Sequence, residues 1–234
     1  MITPKAEITD IFSSIQGEGI FVGARQIFIR FKRCNIACEF CDTPNEGIVK
    51  EYSPSALVHE VEVLDKSKSP HHSVSLTGGE PLVYTEFLKY FLPILKKKGF
   101  KSYLETNGTL FNELENVIDF IDIVAMDFKI PSSTGLRAYW KEHLEFLKIA
   151  ARKKVFVKSV VTRDTKKNDI EEAVKLIRAV NKNIPFIMQP VASVKNFNKK
   201  VCPNRLLEFI DIALKNEVEN SRVIPQMHKM LGMK

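Results

Sequence analysis

The sequence predicts an α/β protein built on a partial, six-stranded barrel of parallel β-strands. Two observations lead to this prediction. Short β-branched and aromatic runs alternate with longer amphipathic segments from about residue 26 to residue 215, and polar residues follow most of the short runs. Repeated strand–helix units form parallel sheets with right-handed crossovers, and six units fall short of the eight that close a full barrel.

The predicted elements follow one another regularly along the chain. Strands are expected at 26–31, 73–76, 101–104, 123–126, 155–161 and 186–188, with a short final strand near 222–224. A helix is expected after each of the six, at 54–65, 86–98, 111–120, 136–151, 170–180 and 205–215. Ser53-Pro54 suits the start of the first helix and Asn168 the start of the fifth. Residues 1–234 contain no boundary signal, so they are predicted to form a single domain.

Polar residues near these strands predict where a site would form. Gln16-Gly17-Glu18-Gly19 is either a turn whose backbone approaches a ligand closely or a plain hairpin turn. Arg30 interrupts an apolar strand, and such a charge must be paired or must line a cavity. The carboxyl ends of parallel strands open on one face. Residues expected to converge there are the cysteines near residue 38, residues 77–80, 105–108 and 127–129, and Gln189.

Three of the four cysteines, Cys34, Cys38 and Cys41, lie within eight residues at the spacing C-x3-C-x2-C. Thiolates are the usual ligands of iron–sulfur clusters, and a short loop of this kind can hold one cubane. Three ligands leave one iron open, and an open metal position usually binds something. Such an iron can chelate the amino and carboxylate groups of S-adenosylmethionine (SAM). A structural zinc site completed by a distant histidine is the alternative.

Composition limits the remaining classes of function. The 44% hydrophobic and 27% charged content is that of a globular protein, and no run of about eighteen apolar residues could span a bilayer. Clustered thiols without a signal-peptide pattern predict a cytoplasmic protein. The net charge of +7 comes from dispersed lysines, several of them at helix C-termini. Direct nucleic-acid binding and membrane association are therefore not expected.

Two of these motifs resemble the radical SAM superfamily. They are the cysteine spacing and the Gly78-Gly79-Glu80-Pro81 segment after the second predicted strand. In that superfamily the glycine-rich segment lies against the amino group of SAM, and its backbone and carboxylate accept hydrogen bonds. The resemblance implies a [4Fe–4S] cluster and SAM as cofactors, together with a partial βα barrel.

A narrower resemblance covers nearly the whole chain. It rests on residues 15–19, Arg30, Cys41-Asp42-Thr43, residues 105–108, Gln189-Pro190 and residues 226–229. Together these look like the 7-carboxy-7-deazaguanine synthase family of 7-deazapurine (queuosine-type) biosynthesis. The resemblance implies a lyase that converts 6-carboxy-5,6,7,8-tetrahydropterin to 7-carboxy-7-deazaguanine with loss of ammonia. It also implies Mg²⁺, a flavodoxin-like reductant and a homodimer.

The narrower resemblance also implies roles for individual residues. The cluster ligands would be Cys34, Cys38 and Cys41, and the hydroxyl of Thr43 would bind Mg²⁺. The SAM contacts would be Phe40, Cys41, Asp42, Gly79, Asp127, Phe128, Lys129, Gln189, Pro190, Val191 and Ala192. The substrate contacts would be Ile15, Gln16, Gly17, Glu18, Arg30, Thr77, His228 and the carboxylate of Lys234. The family often ends in proline, so Lys234 departs from its pattern.

Three other functions remain open from the sequence. A radical SAM activase that places a glycyl radical on a partner protein would share the cysteine loop but would not need the turn at Gln16 or the hydroxyl of Thr43. A zinc-stabilised binding module would be colourless. An electron-transfer iron–sulfur protein would bind no SAM, and four cysteine ligands would be expected.

Overall fold

The computed structural model describes residues 3–41, 48–68, 70–192 and 199–233. Its strands are β1 (Ala6–Ile15), β2 (Arg25–Phe31), β3 (Lys50–Tyr52), β4 (Ser73–Gly78), β5 (Ser102–Thr106), β6 (Ile123–Asp127), β7 (Lys154–Val161), β8 (Phe186–Pro190) and β9 (Ser221–Val223). Its α-helices are α1 (Pro54–Lys68), α2 (Thr85–Lys97), α3 (Phe111–Glu115), α4 (Pro131–Thr134), α5 (Trp140–Ala150), α6 (Lys167–Asn181), α7 (Pro203–Lys215) and α8 (Met227–Met230).

The described strands form one sheet in the order β3-β1-β2-β4-β5-β6-β7-β8-β9. From β2 to β9 every neighbouring pair is parallel. This arrangement confirms the six predicted parallel strands and the short strand that follows them. Because β3 and β9 lie at opposite ends of the order, the sheet is an open, partial barrel.

Strands β1 and β3 were not predicted from the sequence. β1 pairs antiparallel with β2, and β3 pairs antiparallel with β1. β1 is difficult to recognise in the sequence because most of its residues are only partly buried, so it lacks a continuous apolar run. β3 has three residues, and its first two, Lys50 and Glu51, are exposed.

Some helix boundaries also differ from the prediction. The helix expected at 136–151 begins only at Trp140, and the separate short helix α4 precedes it. Gly135 ends α4 because its φ of 72° lies in the left-handed region, where glycine is favoured. Asn168 is not the cap of its helix, because α6 already begins at Lys167 and the N-cap position is Lys166.

Apolar side chains fill both sides of the barrel wall. The larger core lies between the sheet and the helices, and a smaller cluster inside the barrel contains Tyr103 and Phe156. A 3₁₀ turn, Gly19–Phe21, inserts into this inner cluster, where the Phe21 ring lies edge-on to Tyr103 at 5.7 Å. Gly19 has a φ of 66°, and a Cβ there would overlap the Phe156 ring. The loop that contains Gln16 and Glu18 is therefore anchored inside the barrel.

Within these described ranges, the structure has no helix that is both long enough and apolar enough to cross a membrane.

Candidate active site

A cavity of about 430 Å³ lies at the carboxyl ends of the parallel strands. The cysteine loop, the segment after β4 and the start of α8 all contribute to its lining. The predicted site residues that line it are Ile15, Gln16, Gly17, Glu18, Arg30, Cys34, Cys38, Phe40, Cys41, Thr77, Gly79, Asp127, Lys129, Gln189, Val191, Ala192 and His228. The structure thus brings most of the predicted residues into one space, while their individual roles stay predictions.

Two predicted SAM contacts do not line this cavity. The Phe128 side chain is 1% exposed and stacks on His143 with ring centroids 4.7 Å apart. Side chains alternate along an extended chain, so Asp127 and Lys129 face the cavity while Phe128 faces the core. Pro190, the last residue of β8, is next to the lining residue Gln189 but is not itself in the lining. Asp42, Thr43 and Lys234 lie outside the described residues.

Cys34, Cys38 and Cys41 line the same cavity as free thiols. Burial raises the pKa of Cys38 to about 11, and burial likewise raises the pKa of Cys34. Burial therefore favours the protonated form of Cys34 and Cys38, and a bound cationic iron centre would be needed to hold these two as thiolates. Among the described residues, no three His, Cys, Asp or Glu side chains are grouped around a position for a single metal ion. Three soft sulfur donors beside a roomy cavity fit a cluster with one open iron.

The glycine-rich segment packs directly on the start of the cysteine loop. The amide of Gly79 donates to the carbonyl of Phe31 at 2.8 Å, and the amide of Glu80 donates to the carbonyl of Arg33 at 2.7 Å. A Cβ on residue 79 would overlap the Arg33 carbonyl group. Only glycine therefore allows this close approach, which fixes Cys34 relative to the end of β4.

Glu80, the acidic residue of this segment, is held by hydrogen bonds inside the protein. Its side chain is fully buried and accepts hydrogen bonds from the amides of Leu82 (3.1 Å) and Asn107 (2.7 Å) and from the Thr106 hydroxyl (3.0 Å). Burial raises its pKa to about 7 against the effect of these donors. The carboxylate faces the end of β5 and is not part of the cavity lining, whereas Gly79 of the same segment is, so the implied contact of the Glu80 carboxylate with a SAM amino group stays a prediction.

At the opposite end of the cavity, Glu105 organises a polar pocket. Its carboxylate accepts hydrogen bonds from Gln16 Nε2 (2.9 Å), Ser75 Oγ (3.0 Å) and Thr77 Oγ1 (2.9 Å). Gln16 Nε2 also donates to Gln26 Oε1 at 2.9 Å. These bonds hold side chains from β4, β5 and the 16–18 turn in one arrangement. Glu105 was expected near the site but was not assigned a role from the sequence.

Alternating charges connect the two ends of the cavity. Lys158 forms an ion pair with Glu18 and lies 3.5 Å from Asp127, which also pairs with Lys129 at 3.0 Å. Burial opposes charge on both lysines, but the neighbouring carboxylates outweigh it and raise the pKa of Lys129 to about 12 and that of Lys158 further still. Both ammonium groups are therefore charged at neutral pH.

Two buried oxygens in the cavity wall have no hydrogen-bond donor among the described residues. They are Asp127 Oδ1 and Gln189 Oε1. A buried acceptor that is left unpaired costs about 1–3 kcal/mol, so such groups normally have a partner in the working protein. A ligand with an amino group would supply the missing donors, and the amino group of SAM fits this requirement.

The C-terminal segment, residues 226–230, closes the end of the cavity next to the 16–18 turn. The Met227 amide donates to the Gly17 carbonyl at 2.9 Å, and Gln226 Nε2 donates to Glu18 Oε1 at 2.6 Å. The side chain of His228 packs directly against Gly17. This segment was part of the sequence resemblance, and the structure places it over the predicted substrate pocket.

Gly17→Ala is expected to raise the KM for the substrate that binds in this cavity about tenfold, which is equivalent to about 1.4 kcal/mol of binding free energy. The new methyl group would overlap the His228 side chain and push the C-terminal segment outward. Steady-state kinetics would measure the effect, and a double-mutant cycle with His228→Ala would test its cause. The Gly17→Ala change should cost little in the His228→Ala background; an equal cost in both backgrounds would exclude the overlap.

Several residues that line the cavity were not predicted from the sequence, and Lys158 is the most informative of them. It interrupts the apolar run of β7 in the same way that Arg30 interrupts β2. The argument that a buried charge needs a partner or a cavity would have found it. The apolar lining residues Phe12 and Phe28, stacked at 5.1 Å, lie in runs that give no such signal.

The open barrel and the thiol-lined cavity at its strand ends define a protein of the radical SAM class, and the Radical SAM superfamily model matches residues 28–188. The 7-carboxy-7-deazaguanine synthase of Geobacter sulfurreducens is 37% identical, with 99% of each chain aligned. The 7-carboxy-7-deazaguanine synthase of Methanothermobacter thermautotrophicus is 33% identical over the full length of both chains. The chain therefore belongs to the 7-carboxy-7-deazaguanine synthase family, which confirms the resemblance seen in the sequence.

Solved structures support the same fold. QueE from Escherichia coli superposes with a TM-score of 0.64 at 21% identity, and the match covers 96% of this chain and 95% of that one. A radical SAM methyltransferase from Sphaerobacter thermophilus gives a TM-score of 0.66 at 14% identity, covering 94% of this chain and 73% of that one. At these identities the likeness concerns the fold alone, and it confirms the predicted partial barrel.

Proposed function

We propose that this protein converts 6-carboxy-5,6,7,8-tetrahydropterin to 7-carboxy-7-deazaguanine with release of ammonia. One observation supports this most directly: the cysteine-lined wall and the polar pocket around Gln16, Arg30 and Thr77 share a single cavity. Full-length similarity to synthases of that name favours this reaction over the activase, zinc-module and electron-transfer alternatives.

In the proposed enzyme Cys34, Cys38 and Cys41 hold a [4Fe–4S] cluster. The cluster would supply one electron to bound SAM, which would be the source of the radical chemistry on the substrate. Asp127 and Gln189 offer their unpaired oxygens to the amino group of SAM. Phe40 packs with Val160 and Val191 into an apolar wall beside Cys38, which limits the access of water to the reacting atoms.

The pterin is proposed to bind at the end of the cavity where Glu105 lies. Glu105 accepts three hydrogen bonds and can also accept from ring N–H donors, while Gln16 and Thr77 are held in place by it. The Arg30 guanidinium lies 5.9 Å from the centre of the Phe12 ring. Its planar fork matches the carboxylate or the ring oxygen of the substrate, and Phe12 and Phe28 form a flat apolar surface beside it.

The remaining partners are part of the same proposal. Mg²⁺ would bind through the Thr43 hydroxyl and orient substrate oxygens, as suits a hard cation. The carboxylate of Lys234 would reach the substrate from the C-terminal side. A flavodoxin-like protein would deliver the electron, two chains would form a homodimer, and the reaction would take place in the cytoplasm.

The test is an anaerobic incubation of iron- and sulfide-reconstituted protein with dithionite, SAM, Mg²⁺ and 6-carboxytetrahydropterin. Mass spectrometry should detect 7-carboxy-7-deazaguanine without stoichiometric loss of SAM, and chelation of Mg²⁺ should slow its formation. A brown protein that cleaves SAM but leaves the pterin intact would support the activase instead. A colourless protein that contains zinc would reject the radical chemistry.

Arg30→Ala should raise the KM for the pterin by about 10–100-fold, the usual value of hydrogen bonds to a charged group. SAM cleavage without substrate should persist, because Arg30 lies at the pterin end. Arg25→Ala is the matched control, since Arg25 is an exposed arginine at the other end of the same strand. An unchanged KM in the Arg30 variant would remove this residue from the substrate site.

A further inference from the structure

Lys158 is a buried cation to which neither the sequence nor the family comparison assigns a role. Its side chain is 15% exposed and lies in the cavity wall, on β7. Its ammonium group contacts two carboxylates from distant parts of the chain: Glu18, from the loop between β1 and β2, and Asp127, at the end of β6. Both carboxylates are also largely buried, at 17% and 12% exposure.

The contacts continue from Glu18 to the C-terminal segment. One oxygen of Glu18 faces Lys158, and the other accepts the hydrogen bond from Gln226. The next residue, Met227, is bonded to the carbonyl of Gly17. A continuous series of polar contacts therefore connects Asp127 with residues 226–230, and Lys158 is the cation that joins Asp127 to Glu18 within it, while Lys129 pairs with Asp127 alone.

The geometry restricts what Lys158 can do. An ammonium group between two buried carboxylates stays charged, so proton transfer from it is disfavoured. Loss of this cation would remove the ion pair from the largely buried Glu18 carboxylate, which is strongly unfavourable, whereas Asp127 would keep its ion pair with Lys129. Glu18 would then turn towards solvent and lose its bond to Gln226.

We propose that Lys158 is a positioning residue that holds the C-terminal segment closed over the cavity through Glu18 and orients Asp127 towards the SAM side. The contacts themselves do not depend on the reaction. The consequence for substrate binding rests on the proposed function, so the experiments separate the two.

The first experiment measures segment closure without turnover, by hydrogen exchange of the reconstituted protein. The Met227 amide is the most direct probe, because its bond to Gly17 exists only when the segment is docked. Lys158→Met should increase exchange at Met227 about tenfold or more while the central strands stay protected. Lys175→Met, at an exposed lysine on α6, should leave exchange at Met227 unchanged. Unchanged exchange in a folded Lys158→Met protein would overturn the proposal.

The second experiment tests whether charge compensation is the cause. In the Glu18→Gln/Lys158→Met double variant, the new amide can still accept from Gln226 and no longer needs a cation. Protection at Met227 should return at least halfway to the wild-type value, so the two changes should be non-additive. A double variant as unprotected as Lys158→Met would show that Lys158 does not act through Glu18.

The third experiment examines function in the loaded enzyme. Lys158→Met should raise the KM for the pterin about tenfold or more, and Lys158→Arg should recover part of it because the charge is retained. If wild-type protein forms no product from the pterin, the proposed function fails, but the exchange experiments still decide the role of Lys158. A normal KM in an enzyme with an undocked segment would reject the link to binding.

Discussion

Cys38→Ala is expected to abolish product formation, with a loss of at least about a thousandfold, because no protein side chain can replace the radical chemistry. Cys38 is the middle residue of the cysteine loop and faces the apolar wall that contains Phe40. The loop contains three thiols, so removal of the Cys38 thiol would leave two ligands for a cluster that needs three. Reconstitution should give a protein that lacks the brown colour and does not cleave SAM.

Cys202→Ala is the control for this change. Cys202 is an exposed thiol at the N-cap of α7, outside the cavity lining. The variant should bind a full complement of iron and turn over at the wild-type rate. A Cys38→Ala protein that retained the visible absorption and SAM cleavage would show that Cys38 is not a cluster ligand.

Glu80→Ala is expected to lower the free energy of unfolding by about 3–5 kcal/mol. The change removes a fully buried acceptor and leaves the amides of Leu82 and Asn107 and the Thr106 hydroxyl without partners. Glu80→Gln preserves the volume and one oxygen acceptor, so it should cost clearly less. Denaturant unfolding of the two variants and the wild type measures both values; equal losses would mean that neither the retained volume nor the retained oxygen of the introduced glutamine contributes to stability.

The same residue predicts a pH dependence. Burial raises the pKa of Glu80 in the folded protein to about 7 from its ordinary value of 4.5, so the folded state binds the proton more tightly. The stability that wild type has relative to Glu80→Gln should therefore be fully present below about pH 4.5 and decline as pH rises towards 7. Unfolding curves of both proteins at several pH values would measure this decline. If the stability advantage of wild type over Glu80→Gln grew with pH, the raised pKa of Glu80 would be rejected.

The positions of the parallel strands were predictable because buried parallel strands are apolar runs with polar residues at their ends. The location of the site followed from the same rule, since Thr77, Asp127 and Gln189 all lie at or near strand ends. β1 escaped detection because it pairs antiparallel with a neighbour and is only partly buried.

The direction of individual side chains was less predictable than their location. Phe128 lies between two cavity residues, and only the alternation of the extended chain decides that it faces inward to the core. Glu80 belongs to the motif that the resemblance recognised, yet its orientation depends on donors from residues 106 and 107, far along the chain. Such pairings are set by tertiary contacts and leave no local pattern.

The turn Gly19–Phe21 supports the bottom of the cavity. Ile20 and Phe21 pack against Tyr103 and Phe156, and the latter two also line the cavity above. The depth of the cavity is therefore set in part by Ile20 and Phe21, which support its lining without being part of it. Because the same loop contains Gln16 and Glu18, the room available to a ligand and the groups that recognise it are built from one continuous piece of chain.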